Sequence, residues 1–104
     1  MEALAIELED GSPPVLRLAG ELDVATADRV RTALEQALSQ ETSLVVDMAG
    51  VEFIDASGLR PILQVAASLN GAGPLTLVNA PLVSRLLKLI GQEDIPTLSI
   101  RDAA

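Results

Sequence analysis

Apolar residues alternate with polar ones, or run together briefly, in five short segments of the chain. Alternation at a spacing of two is typical of a strand with one buried face, and a short continuous apolar run is typical of a more fully covered strand. The pattern therefore predicts strands at residues 4–8, 15–19, 44–48, 75–78 and 97–100. Residues 9–14 predict a turn between the first two strands, and residues 49–50 predict a loop after the third.

Between the later strands, apolar residues recur at spacings of three and four, which is the period of an amphipathic helix. Thr26 is predicted to cap the first helix, and Asp28 lies in its first turn, where the helix dipole favours an acid. The core-facing residues of this helix are predicted to be Val30, Ala33, Leu34, Ala37 and Leu38.

The second and third helices are bounded by proline and glycine signals. Pro61 is tolerated only near a helix N-terminus, so the second helix is predicted to begin at Ser57 or Gly58 and to end near residues 70–71. The third is predicted to open at residues 79–81 and to stop at Gly91. Their core-facing residues are predicted to be Leu59, Ile62, Leu63, Ala66 and Leu69 in the second helix and Leu82, Val83, Leu86, Leu87 and Ile90 in the third.

The predicted order is β-β-α-β-α-β-α-β, with helices between the later strands. Such helices imply right-handed crossovers between parallel strands, while the short first turn implies an antiparallel pair at one edge. The sequence therefore predicts an α/β fold with a mixed, largely parallel β-sheet. About three to four helices are expected, mostly packed on one face. With 104 residues, the chain is expected to be a single domain over residues 1–104.

Composition and charge exclude several classes of function. The net charge is −8, from seven basic and 15 acidic residues, so the basic face that nucleic-acid binding needs is missing, and a basic protein partner is expected instead. Neither Cys nor His occurs, so the usual metal, haem and thiol chemistries have no ligands, and no cofactor is expected. No signal peptide and no apolar run of about 20 residues is present, which predicts a cytoplasmic protein without direct membrane insertion.

The most informative segment is residues 51–60, in which an apolar run ends in Asp55, Ala56, Ser57 and Gly58 before a helical pattern starts. We call residues 55–58 the corner. One interpretation is purely structural: Ser57 caps the helix, Asp55 is a second capping carboxylate, and Gly58 lets the chain bend. The other is a recognition surface, because an acid, a hydroxyl and free N–H groups meet at one helix N-terminus. Asp23, an acid after a strand, is a weaker candidate of the same kind.

Enzymatic interpretations lack the necessary residues. A nucleophilic Ser57 would need a base, and without His only a carboxylate or the single lysine, Lys88, could serve. No Gly-rich phosphate loop occurs. Asp47, late in a central strand, could suggest a phosphate-accepting receiver domain with residues 9–10 as its acidic pair, but Lys88 falls inside a helix instead of after a strand. The chain is therefore not expected to be an enzyme.

Three motifs together resemble those of STAS domains, and more narrowly of the small bacterial anti-sigma factor antagonists. They are Gly-Glu-Leu-Asp at residues 20–23, Val-Val-Asp at 45–47 and Phe-Ile-Asp-Ala-Ser-Gly-Leu at 53–59. The resemblance, which extends over the whole chain, implies a STAS-like fold and a switchable protein partner. That partner would be an anti-sigma factor, a serine kinase of the histidine-kinase-like ATPase type. As in that family, the kinase would phosphorylate a serine at the start of the second helix of the antagonist, which would end binding. A PP2C-type phosphatase would restore binding.

The resemblance also implies a set of site residues. The residues expected to bind the partner are Asp23, Asp55, Ala56, Ser57, Gly58 and Leu59. The family's usual phosphate acceptor directly follows the Asp, and Ala56 in that position has no hydroxyl. Either Ser57 takes the phosphate, or binding is not switched this way, or the chain is a substituted variant. The alternative function is a non-phosphorylated STAS subunit of a larger complex, either stressosome-like or associated with an ABC transporter.

Overall fold

The computed structural model describes residues 3–39, 43–69, 74–91 and 98–101, in which five strands and three helices alternate largely as predicted. The strands are β1 (Leu4–Glu9), β2 (Val15–Leu22), β3 (Leu44–Ile54), β4 (Leu75–Val78) and β5 (Leu98–Arg101). The helices are α1 (Ala27–Leu38), α2 (Ala56–Ser68) and α3 (Pro81–Leu89).

The strands form one sheet in the order β1-β2-β3-β4-β5, with β1 antiparallel to β2 and the remaining pairs parallel. Each crossover steps to the next strand in the same direction, so right-handed connections place all three helices on one face. The core lies under that face. Val46 pairs with Leu16 on β2 and Leu77 on β4, and all three are buried. Arg17 and Asp47, one residue further along, point to the opposite face, which has no helix over it in the described part of the chain. The predicted mixed α/β architecture is confirmed.

The predicted loop at residues 49–50 is wrong, because β3 continues through it to Ile54. Two irregularities in the β2–β3 register absorb the residues that break the apolar pattern. At the first, the Asp47 carboxylate accepts a hydrogen bond from the N–H of Ala49 at 3.0 Å, and Gly50 pairs with Ala19. Glycine and a polar residue inside a strand are typical of a bulge as well as of a loop. β2 likewise extends past its predicted end to Leu22.

Pairing with β4 covers only Leu44–Asp47, whereas pairing with β2 continues to Ile54. The carboxyl-terminal half of β3 therefore projects beyond β4.

The helix boundaries differ from prediction by one or a few residues. α2 begins at Ala56, not at Ser57 or Gly58, so Pro61 lies in its second turn and the carbonyl of Ser57 has no N–H partner at that position. α3 ends at Leu89, and Ile90, predicted to face the core, is 44% exposed. β5 is described from Leu98 onward, and Thr97, Asn70 and Gly71, on which other predicted boundaries fall, lie outside the described residues.

Candidate functional site

The ends of β2 and β3 bring Asp23 and Asp55 to the same edge of the sheet. Leu22 and Ile54 are paired residues of neighbouring parallel strands, and each aspartate follows one of them directly. The N–H of Asp55 donates to the carbonyl of Leu22 at 3.2 Å, which continues the pairing into the turn. Two acids 32 positions apart in sequence thus lie side by side where α1 and α2 begin.

Asp55, not Ser57, caps α2. Its extended backbone precedes the helix, and its carboxylate accepts a hydrogen bond from the N–H of Gly58 at 3.0 Å. Its carbonyl accepts the first helical bond, from the N–H of Leu59 at 3.0 Å. The structural interpretation of Ser57 as the cap is therefore wrong. Ser57 is the second helical residue, and its hydroxyl has no hydrogen-bond partner among the residues that the structure describes.

Gly58 is needed for close approach of two backbones, not for bending. A Cβ at this position would lie 2.0 Å from the carbonyl oxygen of Leu22 and 2.2 Å from its carbonyl carbon. The first turn of α2 therefore rests directly on the end of β2, at a distance that only glycine permits. The sequence signal for this contact is the glycine three residues after Asp55, but the sequence does not identify the backbone that it meets.

Asp23 organises the turn from β2 into α1. Its carboxylate accepts hydrogen bonds from the N–H groups of Ala25, at 3.0 Å, and of Thr26, at 3.2 Å. Thr26 occupies the predicted N-cap position, yet its side chain makes no capping bond. Its buried hydroxyl donates to the carbonyl of Glu21 at 2.9 Å and accepts from the N–H of Asp23 at 3.1 Å. Thr26 thus fixes the strand end on which the corner rests, a role that the sequence analysis missed.

The corner presents a small accessible surface. Ala56 is exposed, Asp55 and Ser57 are half-buried, and Gly58 and Leu59 are buried. Leu59 is only 1% exposed and belongs to the hydrophobic core. Of the predicted partner-binding residues, Gly58 and Leu59 can therefore act only by positioning the other four. Asp55, Ala56, Ser57 and the half-buried Asp23 are within reach of another protein.

Two large apolar side chains near the corner also escaped the sequence analysis. Val24, in the turn after β2, is 79% exposed, and Phe53, next to the end of β3, is 47% exposed. Glu21, paired with Phe53, and Glu52 are exposed acids beside them. An apolar run ending a strand ordinarily indicates core packing, so nothing in the pattern distinguishes Phe53 from its buried neighbours.

Asp47, the residue weighed as a phosphate acceptor, has structural hydrogen bonds instead. Besides the N–H of Ala49, its carboxylate accepts a hydrogen bond from the side-chain amide of Asn79 at 3.1 Å. Asn79 adopts a left-handed backbone (φ 55°) in the connection between β4 and α3, and this bond ties that connection to β3. Lys88 is exposed on α3. Among the residues described, no three acidic side chains lie close enough together to hold a metal ion.

Comparison with known proteins identifies this architecture. A family model described as "Mlab, STAS domain" matches residues 7–99, which is most of the chain. The chain belongs to the STAS domain family. A relative, the anti-sigma F factor antagonist of Paenibacillus polymyxa, is 35% identical over 82 residues, covering 74% of this chain and 69% of that protein.

Two solved structures of the anti-sigma factor antagonist SpoIIAA share the fold of this STAS domain. The unphosphorylated form is 28% identical, with a TM-score of 0.74, over 96% of this chain and 89% of that one. The phosphorylated form, described as a Bacillus cell fate determinant, is 27% identical, with a TM-score of 0.70, over 96% and 92%. Among the described residues, none of the helices has both the length and the apolar composition of a membrane-spanning segment.

Proposed function

We propose that this STAS domain is a cytoplasmic anti-sigma factor antagonist, which binds an anti-sigma factor of the serine-kinase type through the corner and so releases a sigma factor. The observation that carries the proposal is the geometry of the corner. Asp55, Ala56 and Ser57 stand at the sheet edge within reach of a partner, while Gly58 and Thr26 hold the backbone beneath them in a fixed position. The relative from Paenibacillus polymyxa, which is named for this activity, supports it.

The direct test measures the binding of purified anti-sigma factor and the release of its sigma factor. We expect a stable complex with the unmodified chain and recovery of sigma-dependent transcription when the chain is added to the inhibited polymerase. An anti-sigma factor that neither binds the chain nor loses its hold on the sigma factor would contradict the proposal.

The phosphate acceptor in this proposal is Ser57. Ser57 is half-buried, and its hydroxyl makes no hydrogen bond among the described residues, so it is free to react. The preceding residue, Ala56, is more exposed but has nothing to phosphorylate. One step along a helix turns a side chain by about 100°, so the kinase would have to approach Ser57 from a different direction than a serine at position 56.

Phosphorylation can be located by intact mass after incubation with the kinase and ATP. We expect one phosphate on the wild-type chain and none on Ser57→Ala. Ala56→Ser, combined with Ser57→Ala, is the matched control, because it moves the hydroxyl to the exposed position without changing the rest of the corner. If the double variant gains phosphate while the wild-type chain gains none, the kinase phosphorylates a residue at position 56 only.

The phosphorylated state can be imitated by Ser57→Asp. A phosphate adds about −1.5 to −2 charge at pH 7, and each charge pair with nearby Asp55 costs about 1–4 kcal/mol at effective dielectrics from water to about 20. The helix dipole returns about 0.3–1 kcal/mol. Neither effect is large enough to unfold a domain, so we expect Ser57→Asp to weaken binding with a nearly unchanged melting temperature. Loss of binding that is fully explained by unfolding would contradict the switch.

A second candidate function follows from Ala56. A STAS subunit that uses the same corner without phosphorylation, in a stressosome-like or ABC transport-associated complex, has no need for a hydroxyl at position 56. A stable complex that forms equally well before and after kinase treatment, with no phosphate gained, would favour this function over the first.

A further inference from the structure

An exposed apolar and acidic surface lies beside the corner, and we call it the Phe53 edge. It consists of Phe53 and Glu52 at the projecting end of β3, of Glu21 at the end of β2, and of Val24 in the turn that follows β2. The Cα atoms of Glu21 and Phe53 are paired in the sheet, so the two strand ends form one continuous surface. None of the described chain covers it, since Val24 is 79% and Phe53 47% exposed.

A bulge in β3 directs Phe53 outward. Val51 pairs with Gly20 and Phe53 with Glu21, so Glu52 is an extra residue opposite no partner. Val51 and Ile54 both pack against the core, which regular alternation over three positions would not allow. Phe53, adjacent to Ile54, consequently faces away from the helices. A bulge of this kind re-aims a side chain, and here it holds the only aromatic residue of the chain in solvent.

The charge around Phe53 is predominantly negative. Glu21 and Glu52 are exposed and form no ion pair within the described residues, and the half-buried carboxylates of Asp23 and Asp55 follow each of them within three positions. Arg17 on β2 precedes Glu21 by four residues but is bonded to Glu9 on β1, and Arg60 on α2 follows Phe53 by seven. In an isologous contact, the same surface of two copies of the chain would meet. Such a contact would bring these carboxylates together, so it is disfavoured.

We propose that the Phe53 edge seats in an apolar recess of the protein partner, with lysine or arginine side chains around the rim that face Glu21 and Glu52. This inference rests on the proposed function, since it assigns the anchor by which the anti-sigma factor is held beside the corner. An aromatic side chain that fills a partner's pocket is the usual form of a binding hot spot, and rim charges of opposite sign mainly accelerate association.

The apolar part is tested by affinity measurements with purified anti-sigma factor. Phe53→Ala is expected to weaken binding by about 30-fold or more, as truncating a hot-spot aromatic does. Leu8→Ala is the matched control, because Leu8 on β1 is 49% exposed and remote from the corner, and it should change affinity by less than about twofold. Val24→Ala, at a side chain too exposed to affect folding, should weaken binding more than Leu89→Ala, its control at 78% exposure.

The acidic part is tested by association rates at several salt concentrations. Glu21→Lys and Glu52→Lys are expected to slow association and to flatten its dependence on salt, whereas Glu35→Lys, an exposed acid on α1, makes the same change of charge away from the edge. If all three lysine substitutions change the association rate equally, net charge alone explains the result, and the inference is wrong.

Two outcomes separate the inference from the function on which it rests. If the wild-type chain binds the anti-sigma factor and Phe53→Ala binds equally well, the inference is wrong and the proposed function stands. If the wild-type chain does not bind at all, the proposed function is wrong. Self-association that Phe53→Ala abolishes, seen by analytical ultracentrifugation, would assign the edge to a second copy and likewise overturn the inference.

Discussion

Gly58 is the residue on which the geometry of the corner depends most directly. Asp55 could be replaced by another capping residue, but no side chain fits between the first turn of α2 and the carbonyl of Leu22. The obstacle is backbone on both sides, which cannot rotate away as a side chain can. The corner therefore keeps its position relative to Asp23 only while residue 58 is glycine.

Gly58→Ala should destabilise the protein, although helix propensity alone favours Ala over Gly by about 1 kcal/mol. We expect a loss of about 3 kcal/mol in the free energy of unfolding, near the upper end of what overpacking costs. Denaturant unfolding measures it. Gly91→Asn is the control: its backbone is left-handed (φ 72°) with nothing within 4 Å of the added Cβ, so a cost under about 1 kcal/mol is expected. A Gly58→Ala variant more stable than wild type would contradict the close approach.

At the scale of the element, the connection from β2 to α1 is held by a buried side-chain hydrogen bond. Thr26 is 4% exposed, and its hydroxyl satisfies one backbone acceptor and one backbone donor at the end of β2. The Asp23 carboxylate satisfies the N–H groups that begin the turn. These hydrogen bonds thus fix the end of β2 to the start of α1 independently of how α1 packs on the core.

Thr26→Val keeps the shape of the side chain and removes the hydroxyl. The Glu21 carbonyl and the Asp23 N–H then lose their partner in a buried place, which costs about 1–3 kcal/mol. The melting temperature and denaturant unfolding should both show the loss. Thr26→Ser keeps the hydroxyl and should retain most of the stability. If the valine and serine variants are equally destabilised, the hydroxyl is not what holds the turn.

On the whole-molecule scale, net charge opposes folding. On the face without helices, Arg17 on β2 connects the strands on either side of it. Its guanidinium donates a hydrogen bond to Glu9 on β1 and lies 3.7 Å from the Asp47 carboxylate on β3. The hydrogen bond and charge of Glu9 raise the pKa of Arg17 above its ordinary value, so the guanidinium is charged at every physiological pH. This pair is exposed and contributes little, whereas the net charge of −8 acts over a molecule only 33 × 28 × 25 Å in extent.

Added salt should therefore stabilise the protein. Raising ionic strength from about 0.01 M to about 0.15 M shortens the screening length from about 30 Å to about 8 Å, which relieves repulsion across the molecule more than it weakens contact pairs. We expect the melting temperature to rise by several degrees, since about 1 kcal/mol corresponds to about 4–8 °C in a domain of this size. Glu35→Lys, which changes the net charge from −8 to −8 + 2 = −6, should show a smaller rise. A fall on adding salt would mean that attractive pairs dominate.

Local patterns in the sequence were sufficient for the elements and their order. The spacing of apolar residues predicts strands and helices because side chains repeat at a different period in each kind of element. The strand Leu75–Val78 was predicted to the residue. The alternation of strands and helices then predicts parallel pairing through right-handed crossovers. Three helices are too few to cover both faces evenly, and the strand order, in which each crossover steps in the same direction, puts them on one face. The STAS motifs likewise follow from residue type and spacing alone.

Only the tertiary structure decided which residues the site presents and which it buries. Whether Gly50 ends a strand or bulges within it, whether Gly58 bends the chain or touches Leu22, and whether Phe53 points into the core or into solvent all depend on the register between β2 and β3. Register pairs residues some 30 positions apart in sequence, so the local spacing of apolar residues cannot predict it. The sequence by itself determined the fold and the family, and the pairing of two distant strands determined the surface.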